Sequence, residues 1–336
     1  MKIIVPMAGM GKRMRPHTLT IPKPLIPIAG KPIVQRLVEE IALVNDEKIT
    51  EIAFITGEFG KDVEIELLKI AEDLGAEGKI YYQKEALGTA HAIYCAEPSL
   101  DGKVIVAFAD TLFKADFKIT DETEASIWVQ KVEDPSAFGV VKVNENNIIT
   151  DFIEKPKEFV SDLAIIGIYY FKNGKQLKEE LKYLIDNNVV VNGEYQLTDA
   201  LENMKNKGIS FIPEKIKEWM DCGNKNATVH TNQRILEYHK NEELIASSAQ
   251  IINSIIIPPC YIGANSYIKD AIIGPHVSVG ADSNINKAII SNSIIQKNAS
   301  VKSITLTNSM IGNYAQVKDV TVEISVGDYT LIDFDN

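Results

Sequence analysis

The sequence feature that most constrains the fold is a six-residue period in the last third of the chain. Aliphatic residues recur there in phase, and several are followed directly by glycine. One aliphatic residue on each side of a triangular coil would stack inside a parallel β-helix, and a small residue would allow each corner to turn. An ordinary antiparallel sheet with Gly and Asn turns is the alternative, but it does not require repeats that keep one phase. The repeat positions are Ile262, Ile268, Ile273, Val279, Ile285, Ile295, Val301, Ile311 and Val317.

The preceding part of the chain, to about residue 229, alternates short β-rich runs with amphipathic segments. This alternation predicts an α/β domain with a Rossmann-like, mostly parallel sheet. Pro32, at a first helical position before an apolar stripe, predicts one helix, and Leu177, Leu181 and Leu184 predict another. The predicted strands are Ile3–Met7, Ile52–Thr56, Ile80–Gln83, Val104–Ala109, Ala125–Val132, Gly139–Val143, Ile166–Phe171 and Ile209–Ile212.

The length of the chain, 336 residues, is sufficient for two domains. The change of pattern predicts an α/β domain over residues 1–228 and a linking helix over residues 229–245. The β-helix domain then takes residues 246–336.

Composition excludes several classes of protein. Cys95, Cys222 and Cys260 have neither paired nor metal-ligand spacing, which argues against a disulfide framework or a zinc cluster. The net charge of −11 argues against a general nucleic-acid or acidic-membrane binder. The sequence has no charged leader and no apolar run of about 18 residues, so we expect a cytoplasmic protein without membrane association.

The first 38 residues carry a local excess of positive charge. They contain seven Lys or Arg residues and no Asp or Glu, so an anion site is expected there despite the negative total. Within this region Ala8-Gly9-Met10-Gly11-Lys12-Arg13-Met14 follows the first strand, where a turn can present backbone N–H groups to phosphate. A dinucleotide fingerprint would need a third Gly at Met14. A P-loop would need Gly at Pro6 and Ser or Thr at Arg13.

This loop resembles the signature of the sugar nucleotidyltransferase family, the nucleoside-diphosphate-sugar pyrophosphorylases, which continues with Pro22-Lys23-Pro24. The resemblance extends over almost the whole chain and is closest to long-form glucose-1-phosphate thymidylyltransferases, which implies a left-handed β-helix. Lys12 for Thr, Ala109 for Gly and Met10 within the Gly pair depart from the pattern. Further family-like blocks are Gln83-Lys-Glu-Ala-Leu-Gly88-Thr89-Ala90, Ala109-Asp110-Thr111, Phe138-Gly139-Val140, Ile153-Glu154-Lys155-Pro156, Gly193-Glu194-Tyr195-Gln196-Leu197-Thr198-Asp199 and Trp219-Met220-Asp221-Cys222-Gly223.

The resemblance implies a reaction in which a hexose 1-phosphate attacks the α-phosphorus of a nucleoside triphosphate and pyrophosphate leaves. Positioning and charge neutralisation supply most of the catalysis in such transfers. Arg13 and Lys23 are the implied catalytic cations, and Asp110 and Asp221 are the implied Mg²⁺ ligands. Asp110 also lies where ligands of parallel sheets collect, after an apolar strand.

Two further groups of residues are implied by the same resemblance. The nucleotide-binding positions are Ala8, Gly9, Gly11, Lys12, Gln83, Gly88 and Thr89. The sugar-phosphate-binding positions are Gly139, Glu154, Lys155, Gly167 and Glu194. A Gln amide can both donate to and accept from a pyrimidine imide edge, and a Gly lets the base approach the backbone.

For the substrates we favour dTTP, with UTP second, and glucose 1-phosphate. The run Leu163-Ala-Ile-Ile-Gly167-Ile-Tyr169 resembles that of the thymidylyltransferases, and Ile165 stands where amino-sugar uridylyltransferases place an Asn that serves the sugar. The alternatives are a bifunctional N-acetylglucosamine-1-phosphate uridylyltransferase and acetyltransferase, a mannose-1-phosphate guanylyltransferase, and a silent regulatory subunit. We expect a homo-oligomer whose β-helix serves assembly rather than chemistry.

Overall fold

The structure is a computed structural model that describes residues 1–318 and 323–332. The chain forms two compact units. Unit 1 contains Met1–Gly9 and Leu37–Trp219, and unit 2 contains Met10–Arg36 and Met220–Asn336. Residues 10–36 therefore group with the C-terminal part of the chain. The predicted domains, which are separated at residues 228 and 245, place these residues in the first domain.

Unit 1 is built on a nine-stranded sheet. The strands are β1 (Lys2–Pro6), β4 (Glu51–Thr56), β5 (Glu77–Tyr82), β6 (Val104–Ala107), β8 (Ala125–Lys131), β9 (Gly139–Val143), β10 (Ile149–Glu154), β11 (Leu163–Phe171) and β12 (Phe211–Lys215). Their order is β10-β9-β11-β6-β1-β4-β5, with β8 on β11 and β12 on β8. The strands β6, β1, β4 and β5 are parallel, whereas β11 is antiparallel to β6. The predicted α/β architecture is confirmed.

The helices of unit 1 cover this sheet with apolar side chains. They are α1 (Ile33–Leu43, which begins in unit 2), α2 (Lys61–Asp73), α3 (Thr89–Tyr94), α4 (Gly174–Asp186) and α5 (Leu197–Asn206). Leu177, Leu181 and Leu184 of α4 are completely buried in the core, as their spacing predicts. Pro32, by contrast, is not the first residue of α1. It lies in a two-residue strand, β3 (Lys31–Pro32), that pairs with β2 (Pro27–Ile28), and the helix begins one residue later.

Unit 2 contains the β-helix. Among the described residues its strands form three parallel sheets, each ascending from coil to coil. All nine repeat positions named above are at most 2% exposed, so the aliphatic stack of the prediction is the interior of this structure. Its strands are β14 (Gln250–Ile252), β15 (Ile255–Ile256), β16 (Cys260–Ile262), β17 (Tyr267–Lys269), β18 (Ile272–Ile273), β19 (Val277–Val279), β20 (Asn284–Asn286), β21 (Ile289–Ser291), β22 (Ser293–Ile295), β23 (Ser300–Lys302), β24 (Thr305–Thr307), β25 (Met310–Ile311), β26 (Gln316–Lys318), β27 (Ser325–Val326) and β28 (Leu331–Ile332).

One helix precedes the β-helix, α6 (Lys225–Tyr238). It starts and ends earlier than the predicted linking helix. The side chain of Asn224 accepts a hydrogen bond from the Ala227 backbone N–H at 3.0 Å, and this cap fixes the first turn. Two further short strands are β7 (Thr111–Lys114) and β13 (Glu218–Asp221), and three 3₁₀ helices span Lys12–Met14, Lys23–Leu25 and Glu97–Ser99. No helix in the described ranges is long and apolar enough to span a bilayer.

Candidate active site

The carboxyl ends of the parallel strands in unit 1 carry the first predicted residues. Because β1 pairs with β4 on one side and β6 on the other, the strand order reverses at β1, where α/β sheets bind ligands. Ala8 and Gly9 follow β1, and Asp110 follows β6. A Cβ at Gly9 would meet no described atom within 4 Å, so packing does not require glycine there. The missing side chain instead leaves the backbone open to a ligand.

The segment from Gln83 to Thr89 in unit 1 is held by hydrogen bonds and by close packing. The Gln83 amide Nε2 donates to the Gly88 carbonyl at 3.2 Å and lies 3.3 Å from His91 Nδ1. Gly88 has a φ of +108°, and a Cβ there would lie 2.5 Å from the Tyr195 carbonyl oxygen. Thr89 Oγ1 accepts from the backbone N–H of Leu197 at 3.0 Å. Gly88 and Thr89 therefore have a packing role. The Nε2 atom of Gln83 is hydrogen-bonded within the same segment.

The predicted sugar residues Gly139 and Glu154 are brought together in unit 1. They are register partners on β9 and β10. A Cβ at Gly139 would lie 3.0 Å from Glu154 Oε2 and 3.3 Å from Ile165 Cδ1. Burial, and then the Glu154 carboxylate, raise the pKa of the Tyr169 phenol above its usual range, which places Tyr169 in the same group. A carboxylate thus faces a small space whose other wall is aliphatic.

Lys155 follows Glu154 and has an unusual backbone conformation. Its φ is +42°, a value that residues other than glycine rarely adopt. Its backbone N–H donates to the Phe138 carbonyl at 3.1 Å. The Lys155 ammonium lies 3.5 Å from Glu154 Oε1 and its side chain is two-thirds exposed. The cation therefore lies beside the Glu154 carboxylate and is accessible to an anionic ligand.

Gly167 connects β11 to the end of β6. Its φ is +85°, it lies where β11 changes register against β8, and its carbonyl accepts from the Phe108 N–H at 2.9 Å. This contact holds the segment that leads to Asp110. The next residue, Thr111, accepts from the Trp219 indole N–H at 3.3 Å.

Glu194, another predicted sugar residue, lies beside Gly88. It is exposed, and a Cβ added at Gly88 would lie 2.9 Å from the Cβ of Glu194. Its carboxylate accepts from Gln196 Nε2 at 3.1 Å. The described contacts place Glu194 with the Gln83–Thr89 segment.

Unit 2 carries the predicted cations. Gly11 has a φ of +57°, and a Cβ there would lie 3.1 Å from Lys23 Cβ, so this glycine packs the loop against the Pro-Lys-Pro segment. Lys12 and Arg13 are exposed on the following one-turn 3₁₀ helix, Lys12–Met14. Lys23 is half-buried. Lys12 and Arg13 therefore follow a turn at Gly11 that packs against the segment carrying Lys23.

Gly223 lies close to the side chains of both Arg13 and Asp221, also within unit 2. A Cβ at Gly223 would lie 3.1 Å from Arg13 Nη2 and 3.0 Å from Asp221 Oδ1. Asp221 Oδ1 also accepts from the Gly223 backbone N–H at 3.0 Å. A Cβ at this corner would require the guanidinium and the carboxylate to shift by a few tenths of an ångström.

The residues that the family resemblance assigns to magnesium are both carboxylates. No group of three or more His, Cys, Asp or Glu side chains in the described ranges could hold a metal ion by itself. Asp110 in unit 1 and Asp221 in unit 2 each offer one carboxylate. Such a sparse oxygen donor set fits Mg²⁺, which keeps several waters and substrate phosphates as ligands.

Two polar residues near these groups are not among the predicted site residues. His91, whose pKa is lowered by burial, holds the Gln83 amide, and the sequence offers no signal for it beyond its position on α3. Asp199, in the first turn of α5, has a buried Oδ2 without a hydrogen-bond partner among the described residues, and burial raises its pKa. Its place in the Gly193–Asp199 block was a signal that could have been used.

Comparisons with known proteins match two successive parts of the chain to two families. Residues 2–238 match the family described as Nucleotidyl transferase, and residues 229–301 match the family described as GlmU-like, C-terminal hexapeptide. Similar curated proteins include the low-salt glycan biosynthesis nucleotidyltransferase Agl11 of Haloferax volcanii, at 31% identity over 70% of this chain and 66% of that protein. The bifunctional protein GlmU of Methanococcus maripaludis is 30% identical over 76% of this chain and 59% of that protein. The matches thus span about three fifths of the length of these relatives.

A solved structure shares its fold with about two thirds of this chain. It is provisionally assigned as a glucose-1-phosphate thymidylyltransferase from Bacillus anthracis and was determined in complex with sucrose. It aligns with a TM-score of 0.58 at 26% identity, covering 69% of this chain and 93% of that one.

Proposed function

This chain belongs to the nucleotidyl transferase family, and from that premise we propose that it is a sugar-phosphate nucleotidyltransferase. It would join a nucleoside triphosphate to a hexose 1-phosphate and release pyrophosphate. The observation that carries the proposal is the loop at Gly11, which packs against Lys23 and presents the exposed Arg13. A guanidinium and an ammonium on neighbouring segments suit a triphosphate, because they can offset its negative charge.

The chain's own residues supply binding and charge neutralisation. The open backbone at Gly9 admits the triphosphate, and Arg13 and Lys23 offset its negative charge as the α-phosphorus is attacked. Glu154 accepts hydrogen bonds from sugar hydroxyls, and Lys155 meets the sugar phosphate. Asp110 and Asp221 would hold Mg²⁺, which when bound neutralises phosphate charge.

For the substrate pair we favour dTTP, with UTP second, and glucose 1-phosphate. The support for the sugar is Ile165, whose Cδ1 reaches the space beside Gly139 and Glu154. An aliphatic side chain cannot hydrogen bond to an acetamido group. Burying that group without a partner costs about 1–3 kcal/mol, which corresponds to roughly five- to 150-fold in discrimination.

The test is a comparison of kcat/KM for glucose 1-phosphate and N-acetylglucosamine 1-phosphate, each with dTTP and with UTP. We expect glucose 1-phosphate to be preferred with either nucleotide, and dTTP to be preferred over UTP. A clear preference for the acetylated sugar would refute the argument from Ile165 while leaving the reaction class in place.

Acetyl transfer is a second candidate, because residues 229–301 match the GlmU-like hexapeptide family. In unit 2, His276 Nε2 lies 2.7 Å from Glu237 Oε1, a pairing that could support a base. Incubation of the full chain with acetyl-coenzyme A and glucosamine 1-phosphate would reveal released coenzyme A if this activity exists. Absence of release at high enzyme concentration would remove this candidate.

A further inference from the structure

One face of the β-helix in unit 2 is covered by other parts of the same unit. The face is the sheet β16-β19-β22-β25-β27, in which Ser278, Ile294, Met310 and Ser325 are successive register partners. Along each strand these residues alternate with residues that face the interior of the β-helix, so their side chains point outward. Ile294 and Met310 are nevertheless at most 1% exposed. Something outside the coils therefore covers them.

The cover consists of α6 and of residues 10–36. Asn232 of α6 is completely buried, and its Oδ1 accepts from Ser278 Oγ at 2.6 Å and from the Ala29 backbone N–H at 2.9 Å. At the first coil, a Cβ on Gly30 would lie 2.2 Å from the Tyr261 ring. Residues 27–32 are thus fitted to the start of the β-helix.

The last described coil contacts the same N-terminal segment at a different place. The Ser325 hydroxyl lies 2.5 Å from His17 Nε2, and the His17 ring is completely buried. A Cβ on Gly327 would lie 2.8 Å from Pro16 Cβ. Both contacts lie within four residues of Arg13.

These contacts continue to Arg13 through the backbone. The His17 N–H donates to the Met14 carbonyl at 3.0 Å, and the Met14 N–H donates to the Gly11 carbonyl at 2.9 Å. Met14 is 1% exposed, and its sulfur lies 3.5 Å from Thr228 Oγ1 at the start of α6. The exposed Arg13 therefore projects from a turn whose two neighbouring anchors, Met14 and His17, are buried.

We propose that the β-helix is a positioning element for catalysis, because Ser325 and Gly327 hold Pro16 and His17 and so fix the loop that presents Arg13. This inference rests on the proposed function. It changes the expectation that the β-helix serves assembly alone. Arg13 acts on the triphosphate, whereas Ser325, Gly327, Pro16 and His17 act only through its placement.

The test compares two serine substitutions in the same sheet of the full-length chain. Ser325→Ala removes the hydroxyl from His17, and Ser325→Thr keeps it. Ser293→Ala is the matched control, because Ser293 is completely buried in β22 and its hydroxyl donates to the Ser291 carbonyl at 2.7 Å, within the β-helix. Nucleotidyl transfer and amide hydrogen exchange of residues 10–23 are measured for each.

We expect Ser325→Ala to lower kcat by about tenfold, because small displacements of a positioning group have large effects on rate. The KM of both substrates should change by less than about threefold, and exchange of residues 10–23 should accelerate. Ser325→Thr should restore both readouts. Ser293→Ala should change neither.

The inference is overturned if Ser325→Ala matches Ser293→Ala in kcat and exchange, or if kcat falls without faster exchange of residues 10–23. A wild-type chain that transfers no nucleotide would refute the proposed function instead. The exchange measurement would still report whether Ser325 holds the loop, so the two failures can be distinguished.

Discussion

The stability of this protein should depend on the protonation of His17 at mildly acidic pH. Burial, and then the nearby Lys225 ammonium, lower the pKa of His17 from 6.5 to about 4. Between these values the unfolded chain binds a proton that the folded chain does not, so the free energy of unfolding falls as the pH drops below 6.5. The full difference corresponds to about 3 kcal/mol, of which about 2 kcal/mol is lost between pH 7 and pH 5.

The perturbation is His17→Gln, which removes the titrating group. Urea unfolding at pH 7 and pH 5 should show that the wild type loses about 2 kcal/mol more on acidification than this variant does. His230→Gln is the matched control, because His230 is exposed on α6, and it should lose as much as the wild type. The His17 signal itself, identified by its absence in the variant, can be titrated by NMR.

An equal loss of stability in the wild type and in His17→Gln would refute this reasoning. So would an NMR titration midpoint near 6.5, since it would mean that the ring meets water in the folded protein.

Three further predictions concern the candidate site. Gly9→Ala should leave the urea midpoint unchanged and raise the KM for the triphosphate, because a Cβ there meets no described atom; an unchanged KM would remove Gly9 from the nucleotide site. Asp110→Asn and Asp221→Asn should each lower kcat by about a hundredfold or more at unchanged circular dichroism, and full Mg²⁺-dependent activity in either would remove that residue from the metal ligands. Ile165→Asn should shift kcat/KM toward N-acetylglucosamine 1-phosphate, whereas the equally polar but smaller Ile165→Ser should do so less; no shift would show that this side chain does not read the sugar.

Periodic features of the fold could be predicted from the sequence. The β-helix repeat is strict because each aliphatic residue has only one place in the interior, and every predicted position is buried. The α4 stripe of Leu177, Leu181 and Leu184 follows from the same logic. In both cases a single local period determines which side chains are buried.

Non-local features could not be predicted in this way. Nothing in the residues around Pro16 and His17 indicates that they pack on Ser325 and Gly327, some 300 residues later, so the grouping of residues 10–36 with the β-helix has no local signal. The start of α1 was misplaced at Pro32 because the pairing of β2 with β3 overrides the helical preference.

The candidate site lies between these two cases. Gly139, Glu154 and Ile165 belong to three strands, and their meeting depends on antiparallel register rather than on any local pattern. The resemblance to a family supplied these residues, and it also supplied Glu194, which lies beside Gly88. A family motif indicates which residues take part in the reaction. Only the tertiary structure shows which of these residues lie next to one another.

The proposed reaction is tested most directly by quantifying both of its products. The full-length protein is incubated with Mg²⁺, each of several nucleoside triphosphates and each of several hexose 1-phosphates, and pyrophosphate and nucleoside diphosphate sugar are measured together. We predict equal amounts of the two products, formed only when both substrates are present and lost in Arg13→Ala. Binding of a nucleotide sugar with no pyrophosphate from any pair would contradict the account and indicate a regulatory protein.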